Sequence, residues 1–568
     1  LFGNMWYVKN MPGGTYQFKY AVEGTCTAYD ETIVTITLIG SNYWHGTIDT
    51  DWAKTGNWTA NYVPGEGEDI EFATAANNGA LGGGNGQGPA KNHLLLDQDR
   101  IIGDLINDSD KDLWVTTDNQ LVVNGEVKDG NPSAGTIRVK ADPENKETNG
   151  TLIFANPESN SNVQAIVEFY NKAYECDNCG FYRNQWQYFG IPVQQAVFPA
   201  TGNETVNQWS EPTNGNKWIT PASPMQKFKG YQITHNATIP PSHIYDFKGT
   251  LNVGNALVTL SKTPMVNYSG ANLVGNSFTA AIPINSEALQ FSTEIGDKTV
   301  YLFNTGTRDQ WRKLNGGTAD GLAAGQYLAV PINLAGQVDL PNMIPSTHSF
   351  MVFADPATML TIDYKKLVKN ELINDATGNK IATRSASIPA PAGKTSTVQP
   401  LPFVRIDIIG TASADRIWIF NKQGTTHGFD SGWDGRKMEE DGIAQLYVSA
   451  SDNSKLQVAT VPDIHNTSVG FVADADGKYT LEFSLSEQLK NAEVYLYDEV
   501  TKTRERIHNG VSYTFETKKG ETANRFRLLN ETPLSQLSPD EELINVTTTA
   551  DGKIIITNRS KNDCSAFI

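Results

Sequence analysis

Cysteine is scarce here, with four in 568 residues. That excludes a disulfide scaffold, which needs many cysteines in a short chain. Cys26 and Cys564 stand alone, while Cys176-Asp-Asn-Cys179 has metal or redox spacing. Zinc wants four ligands, and no second pair exists. A redox motif wants a thioredoxin-like βαβ context, which is missing. Two readings of the pair stay open, a local disulfide pinning a loop and two free thiols. Basic residues are also few: 45 Lys and Arg face 63 Asp and Glu, for a net charge of −18 and a pI near 4.9. A nucleic-acid binder needs a basic face to release counterions, so that class is excluded. Docking on an anionic membrane is disfavoured for the same reason. The acidity serves solubility through self-repulsion, or divalent-cation binding between carboxylate-rich surfaces. No apolar run approaches the ~18–20 residues of a membrane span.

Catalytic signatures are missing as well. There is no nucleophile elbow, no metalloprotease helix and no Cys-His pair. The eight histidines, among them His45, His93, His235, His243 and His348, show no ligand spacing. Paired carboxylates for glycoside cleavage need only be close in space, and nothing singles out a pair. The chain is therefore not read as an enzyme.

What is plentiful is Gly (49), Phe (23), Tyr (21) and Trp (11), with polarity carried by Asn, Thr and Ser more than by charge. That composition suits short strands and many turns. The length suits roughly three to five domains. The expected fold class is all-β, with several modules in series.

Residues 1–39 end in a hairpin: Tyr16, Phe18 and Tyr20 alternate, and Ile33, Val34, Ile36 and Leu38 form the return strand. Residues 40–169 open on WHGTIDTDWAKTGNWTANYVPGEGEDIEF, from Trp44 to Phe72, with Trp52 and Trp58 inside it. A Gly-rich loop (Gly79–Pro89) leads into a strand, not into a helix with Lys and Ser/Thr, so it reads as a flexible loop and not a phosphate cradle. Short apolar runs then recur from Leu94 to Phe169 without a helical period, which fits a parallel β-helix or a sandwich. Leu121 to Val127, LVVNGEV, reads as a rung and favours a short parallel β-helix. Its open end needs a cap, and the Trp-rich stretch is the expected one. Residues 170–369 read as a β-sandwich with long connections, 370–402 as a linker, 403–532 as a jelly-roll-like sandwich, and 533–568 as the start of a further β-module. Leu1 starts and Ile568 ends inside apparent elements, so a piece of a longer precursor is expected.

Four sets of residues carry a family resemblance. Gly14–Cys26 resembles the last strands of immunoglobulin-like repeats in large Bacteroidetes surface proteins. Trp44–Pro64 resembles their Trp/Asp/Val-Pro signature, with five residues where the family has four between Trp52 and Trp58. Six motifs follow in the family's order: Trp186 to Val193, Gly230-Tyr231, Gly249 to Gly254, Asn272 to Phe278, Tyr301 to Asn304 and Ile344 to Val352. The set departs at Ser277, where the family usually has Pro. Asp415-Arg416, Phe429-Asp430, Trp433-Asp434, Lys437-Met438, Asp498 and Asn524-Arg-Phe526 resemble the sandwich that precedes the sorting tail of type IX-secreted proteins, and Leu543–Ile556 the first half of that C-terminal sorting domain. The resemblance implies an extracellular, outer-cell-surface protein exported by type IX secretion. It would be a surface-layer (S-layer) building block or a stalk-like adhesin, with copies of itself or neighbouring surface proteins as partners.

The alternative from another class is a carbohydrate-binding or polysaccharide-degrading secreted protein, with host or environmental glycans as ligands. Trp186, Trp209, Trp218 and Trp311 could stack on sugar rings or pack between sheets. Asp49, Asp51 and Asp69, with Asn57 and Glu68, are the candidate ligands for Ca²⁺, which wants six to eight oxygens. The same residue types also cap turns. Asp108 to Asp112 and Asp474 to Gly477 read first as turns, the former lacking the Gly and distal Glu of an EF-hand. No other cofactor is expected.

Overall fold

The computed structural model describes residues 14–23, 29–38, 42–75, 88–128, 135–142, 148–173, 186–235, 243–306, 324–370, 400–410, 414–439, 443–520, 522–531, 544–548 and 554–558. They are almost entirely strand and turn. Two compact units divide them. The first takes the described residues up to Thr305 and those from Pro341 to Asn370; the second takes Gly306, Ala324–Leu340 and those from Pro400 onward.

The first unit begins with the antiparallel hairpin Gly14–Glu23 and Tyr29–Leu38, in the register Tyr16↔Ile36 and Phe18↔Val34. Its central body is a parallel β-helix with three sheets. One sheet stacks Tyr43–Trp44, Ile70–Phe72, Leu105–Ile106 and Val127–Lys128. The second stacks Leu94–Leu95, Leu113–Val115, Ile137–Val139 and Gln164–Asn171. The third stacks Arg100–Ile102, Gln120–Val123 and Thr151–Phe154. In-register pairing puts like on like, with Leu94, Leu113 and Ile137 in one inward column and Ile70 and Leu105 in another. Each such aliphatic side chain contributes about 1.5–3 kcal/mol by leaving water.

Strands of the first two sheets alternate in and out, as in Leu113-Trp114-Val115 and Ile137-Arg138-Val139, where only the first and third residues are buried. Gln120–Val123 and Thr151–Phe154 are buried throughout, because the third sheet is covered on its outer face. There Thr279 Oγ1 donates to Leu152 O, Tyr364 OH accepts from Phe154 N, and Asn370 N donates to Thr151 Oγ1. The rung motif explains Gly125: a Cβ there would lie 2.8 Å from Asp104 N, so only glycine lets successive corners stack this closely.

Gln164–Asn171 ends the parallel run by pairing antiparallel with His243–Thr250. From there the core is continuous into the next segment: Phe169 stacks on Phe189 at 4.8 Å, and Tyr231, Tyr245 and Phe247 join the same cluster. The remaining strands of this unit are antiparallel, including Ala271–Gly275 with Ser349–Phe353 and Ala256–Leu260 with Thr358–Ile362. The six ordered motifs lie here; some supply core residues such as Phe189, Ile191, Val193 and Tyr231, and one serves the backbone. Asn276, fully buried, donates to the carbonyls of Ala280, Ile344 and Pro345. Ser277 accepts from Phe228 N at 2.7 Å through its hydroxyl, a bond that proline could not supply.

The second unit is one large sheet that runs Thr503–Arg506, Glu493–Asp498, Thr522–Glu531, Thr467–Val472, Gln445–Ser449, Lys455–Val461, Ala414–Asn421, Phe403–Ile409, Gly477–Leu485, Ser512–Thr517. All neighbours along it are antiparallel except Ala414–Asn421 with Lys455–Val461, where Trp418 sits opposite Val458. Val404, Ile406, Ile417, Ile419, Leu446, Val469, Leu481 and Phe526 fill its interior. Tyr327–Pro331 is held to it through Gln457, whose amide accepts from Ala329 N and donates to Tyr327 O. The edge strand Thr503–Arg506 is exposed throughout, and its arginines discourage pairing with another chain. The hairpin Ile544–Thr548 with Ile554–Asn558 is antiparallel.

Candidate functional site

The Trp-rich stretch forms the first rung of the β-helix. Trp44 pairs with Phe72 in the first sheet, and Asp51 bridges Leu95 in the second. Trp44, Trp52 and Trp58 are buried, with Trp58 edge-on to the other two at 5.2 and 5.6 Å. Trp44 Nε1 donates to Asn92 O and Trp58 Nε1 to Trp52 O, both at 2.9 Å. The three rings thus close the open end of the hydrophobic column, and none of them offers a free face for a sugar.

Asn57 organises the polar side. Its Oδ1 accepts from Ile48 N and Asp49 N, and its Nδ2 donates to Asp49 Oδ1 and Asp51 O. Asp49 also accepts from Asp51 N and pairs with Lys54. The Lys54 ammonium, then Asn57 and the Asp51 N–H, hold the Asp49 carboxyl down to about 2. Asp51 accepts from Ala53 N. Asp69 lies elsewhere, on a rung corner, and accepts from Asp104 N at 2.7 Å. Asp49 and Asp51 therefore share one loop, and Asp69 does not join them. Among the described residues no three His, Cys, Asp or Glu side chains are grouped to hold a metal ion.

Asp69 belongs to a recurring device. Asp104 accepts from Glu126 N, Asp99 from Gln120 N, Asp112 from Thr136 N and Asp118 from Thr148 N, each at 2.8–2.9 Å. Each carboxylate reaches from one rung to a backbone N–H of the next. Much of the acidity of this region is thereby structural: it satisfies corner donors that the sheets leave open. Asp112, from the loop that looked like the start of a calcium site, is one of these ties. Asp474 accepts from the Tyr479 hydroxyl, and Asp476 from Lys519 N at 2.7 Å, so that turn too is bound into its neighbours.

The tryptophans read as sugar-stacking candidates fare differently. Trp186, Trp209 and Trp218 are half-buried. Trp209 and Trp218 belong to a run of rings: Phe303 stacks on Tyr188 at 4.2 Å, Tyr188 meets Trp218 at 5.1 Å, Trp218 meets Trp209 at 5.1 Å, and Trp209 meets Tyr268 at 6.3 Å. Tyr268 is 63% exposed, and the neighbouring Met265 is fully open. Trp311, Cys176 and Cys179 lie outside the described residues.

In the second unit the signature residues are buried ions. Lys437 Nζ lies 2.6 Å from both oxygens of Asp415, which also accepts from Leu446 N at 2.7 Å. Arg416 pairs with Asp407 and, with Arg405, donates to Asp339, which also accepts from Trp418 Nε1 at 2.6 Å. Arg525 and the Tyr513 hydroxyl hold Asp498; burial pushes its carboxyl up, and these donors outweigh it and leave it low. Asp339 and Asp407 carried no motif, and with 63 acidic against 45 basic residues nothing in the sequence signals which carboxylates the buried arginines take.

A family described as a domain of unknown function (DUF8693) matches residues 43–529. The minor fimbrium subunit Mfa5 of Porphyromonas gingivalis is 48% identical over 540 residues, covering 93% of this chain and 42% of that protein. The chain thus spans about two-fifths of the length of that relative. No solved structure matches. The relative supports the likeness to Bacteroidetes surface proteins carried by the Trp-rich signature and the ordered motifs. With a match that runs from Tyr43 to Leu529 through both units, the chain belongs to the DUF8693 family.

Proposed function

We propose that this chain is a structural and interaction segment of a fimbrial protein on the outer cell surface, without enzymatic activity. The observation that carries the reading is the 48% identity to a minor fimbrium subunit over nearly the whole chain. The structure supports it from below: conspicuous tryptophans, carboxylates and basic residues close a β-helix end, tie rungs and neutralise one another inside a sheet. Side chains so committed make stiff modules suited to transmitting force and presenting surfaces. Partners are other fimbrial or surface subunits, or copies of this chain; a stalk-like adhesin fits this better than a surface-layer lattice. Export runs by type IX secretion, and the hairpin 544–558 belongs to the start of the sorting domain.

Immunogold labelling of intact cells tests the location and should decorate fimbriae. Label confined to the cell interior, or an even lattice over the cell body, would overturn the fimbrial reading. Type IX export predicts accumulation in the periplasm when that system is deleted, and unchanged surface display would refute it. A second reading, glycan binding, is favoured by one feature, the half-exposed run Tyr188, Trp218, Trp209 and Tyr268. On a glycan array it predicts saturable binding that Trp218→Ala removes, and a blank array dismisses it.

A further inference from the structure

In the second unit a cavity of about 240 Å³ lies beside the paired residues Val448 and Leu456 and the start of Thr467–Val472. A water in bulk takes about 30 Å³, so a side chain fits. Val448, Leu456, Ala459 and Val461 give one part of the lining an aliphatic character, and His427, Asp434 and Thr467 give another a polar one. Thr467 is 3% exposed, and its hydroxyl has no hydrogen-bond partner among the described residues. A buried hydroxyl without a partner is costly, and its place in a cavity wall points to a missing ligand. The Asp434 carboxylate, also buried, accepts one N–H on each oxygen, from Thr460 and Asp430.

The charge of the surroundings selects the ligand. Asp430 and Asp452 act on Asp434 as like charges. Two nearby cations are engaged elsewhere, Arg436 over the Phe429 ring and donating to Ser454, and Lys422 over Trp433, while His427 is the one titratable base in the lining. An anion is therefore excluded. A hard metal ion wants six to eight oxygens and no aliphatic wall. A guanidinium wants both carboxylate oxygens in its plane, and here each already takes a backbone N–H. A compact ammonium on an aliphatic stem matches both parts of the lining.

We propose that this cavity receives a primary alkylammonium group, that of a lysine side chain presented by a partner protein, with its stem along Val448 and Leu456 and its ammonium donating to Asp434 and Thr467. The site is independent of the fimbrial reading, since it rests on the cavity alone. Burial, with Asp430 and Asp452 adding to it, pushes the Asp434 carboxyl up to about 7. Binding should accordingly strengthen from pH 6 to pH 8, as the carboxylate ionises.

The test is calorimetric titration of the full chain at pH 8 with Nα-acetyl-lysine N-methylamide, its Nε-acetylated counterpart, the norleucine analogue and n-butylamine. Saturable one-site binding by the lysine compound, with none by the acetylated or norleucine compounds, is expected. Equal binding by those uncharged compounds would overturn the proposal, as would no binding at all. Binding of n-butylamine as tight as that of the lysine compound would assign a free amine and overturn the protein partner. Asp434→Asn should abolish binding. Because that variant also disturbs two backbone donors, Thr467→Val serves as the second: it keeps the shape, breaks no side-chain hydrogen bond, and should weaken binding about tenfold. Unchanged affinity in Thr467→Val would refute the assigned geometry.

Discussion

The Lys437–Asp415 pair makes the sharpest test of how the second unit is held together. Both side chains are buried, at 3% and 0% exposure, and the ammonium touches both carboxylate oxygens. Lys437→Met keeps the aliphatic stem and removes the charge, so Asp415 is left ionised without its counterion. Removing one partner of a buried pair costs about 3–5 kcal/mol. At about 2–4 °C per kcal/mol for a unit of this size, the loss in Tm is roughly 6–20 °C. The pH dependence carries the diagnosis. Burial pushes the Asp415 carboxyl up, opposed by Lys437 and the Leu446 N–H. Without Lys437 it rises further. A carboxyl raised in the folded state is tolerated when protonated, below its unfolded value, and its stability is lost as pH rises through the folded value. The deficit of Lys437→Met against the parent should therefore be small in acid and grow toward neutral pH. The double variant Asp415→Asn, Lys437→Met should recover most of the loss, because no lone charge is buried and the Asn oxygen still accepts from Leu446 N. Calorimetric melts of the full chain between pH 4 and 8 give the answer. A pH-independent deficit, or a double variant as unstable as the single, would refute the argument.

Other expectations follow from the first unit. Trp58→Ala empties the middle of the three-ring cap and should cost about 3–5 kcal/mol in urea unfolding, with Trp58→Phe losing less; a smaller loss than that of Leu257→Ala, at an exposed position, would mean the rings do not hold the cap. Burial pushes the Glu204 carboxyl up, but donors from Thr201 and Tyr245 outweigh it and hold it down to about 2. Its stabilising effect is present above the unfolded value and lost as pH falls toward 2, so Glu204→Gln should flatten the acid limb of the Tm profile; an unchanged limb would argue against it. Asp49 and Asp69 already accept protein donors, so calcium or a chelator should leave the Tm unchanged, and a calcium-dependent rise would revive the metal site.

Much of this architecture was legible in the chain. Short apolar runs with Asn, Asp and Gly between them, and no helical period, are enough for an all-β reading, because the two-residue alternation of a strand is a local property. The rung-like LVVNGEV and its glycine are local too, as is the hairpin at Gly14–Leu38. The site was less legible. The same Asp and Asn that suggested calcium cap corners, and the two uses share residue types and differ only in where the side chain points.

Sequence by itself determined the fold class, the β-rich modules and the family likeness, since composition, alternation and motif order are read along the chain. Tertiary structure alone decided that Leu94, Leu113 and Ile137 stack in register, that Ala324–Leu340 belongs to the second unit, and that Asp339 answers Arg405, Arg416 and Trp418. It also showed how the Trp44–Phe72 stretch serves as the expected cap, with Trp44 opposite Phe72 in the first rung and Trp58 edge-on to Trp44 and Trp52. The physical reason is common to all four. Partners far apart in the chain are chosen by burial and charge compensation across the whole unit, and no local pattern encodes which distant N–H a carboxylate will meet.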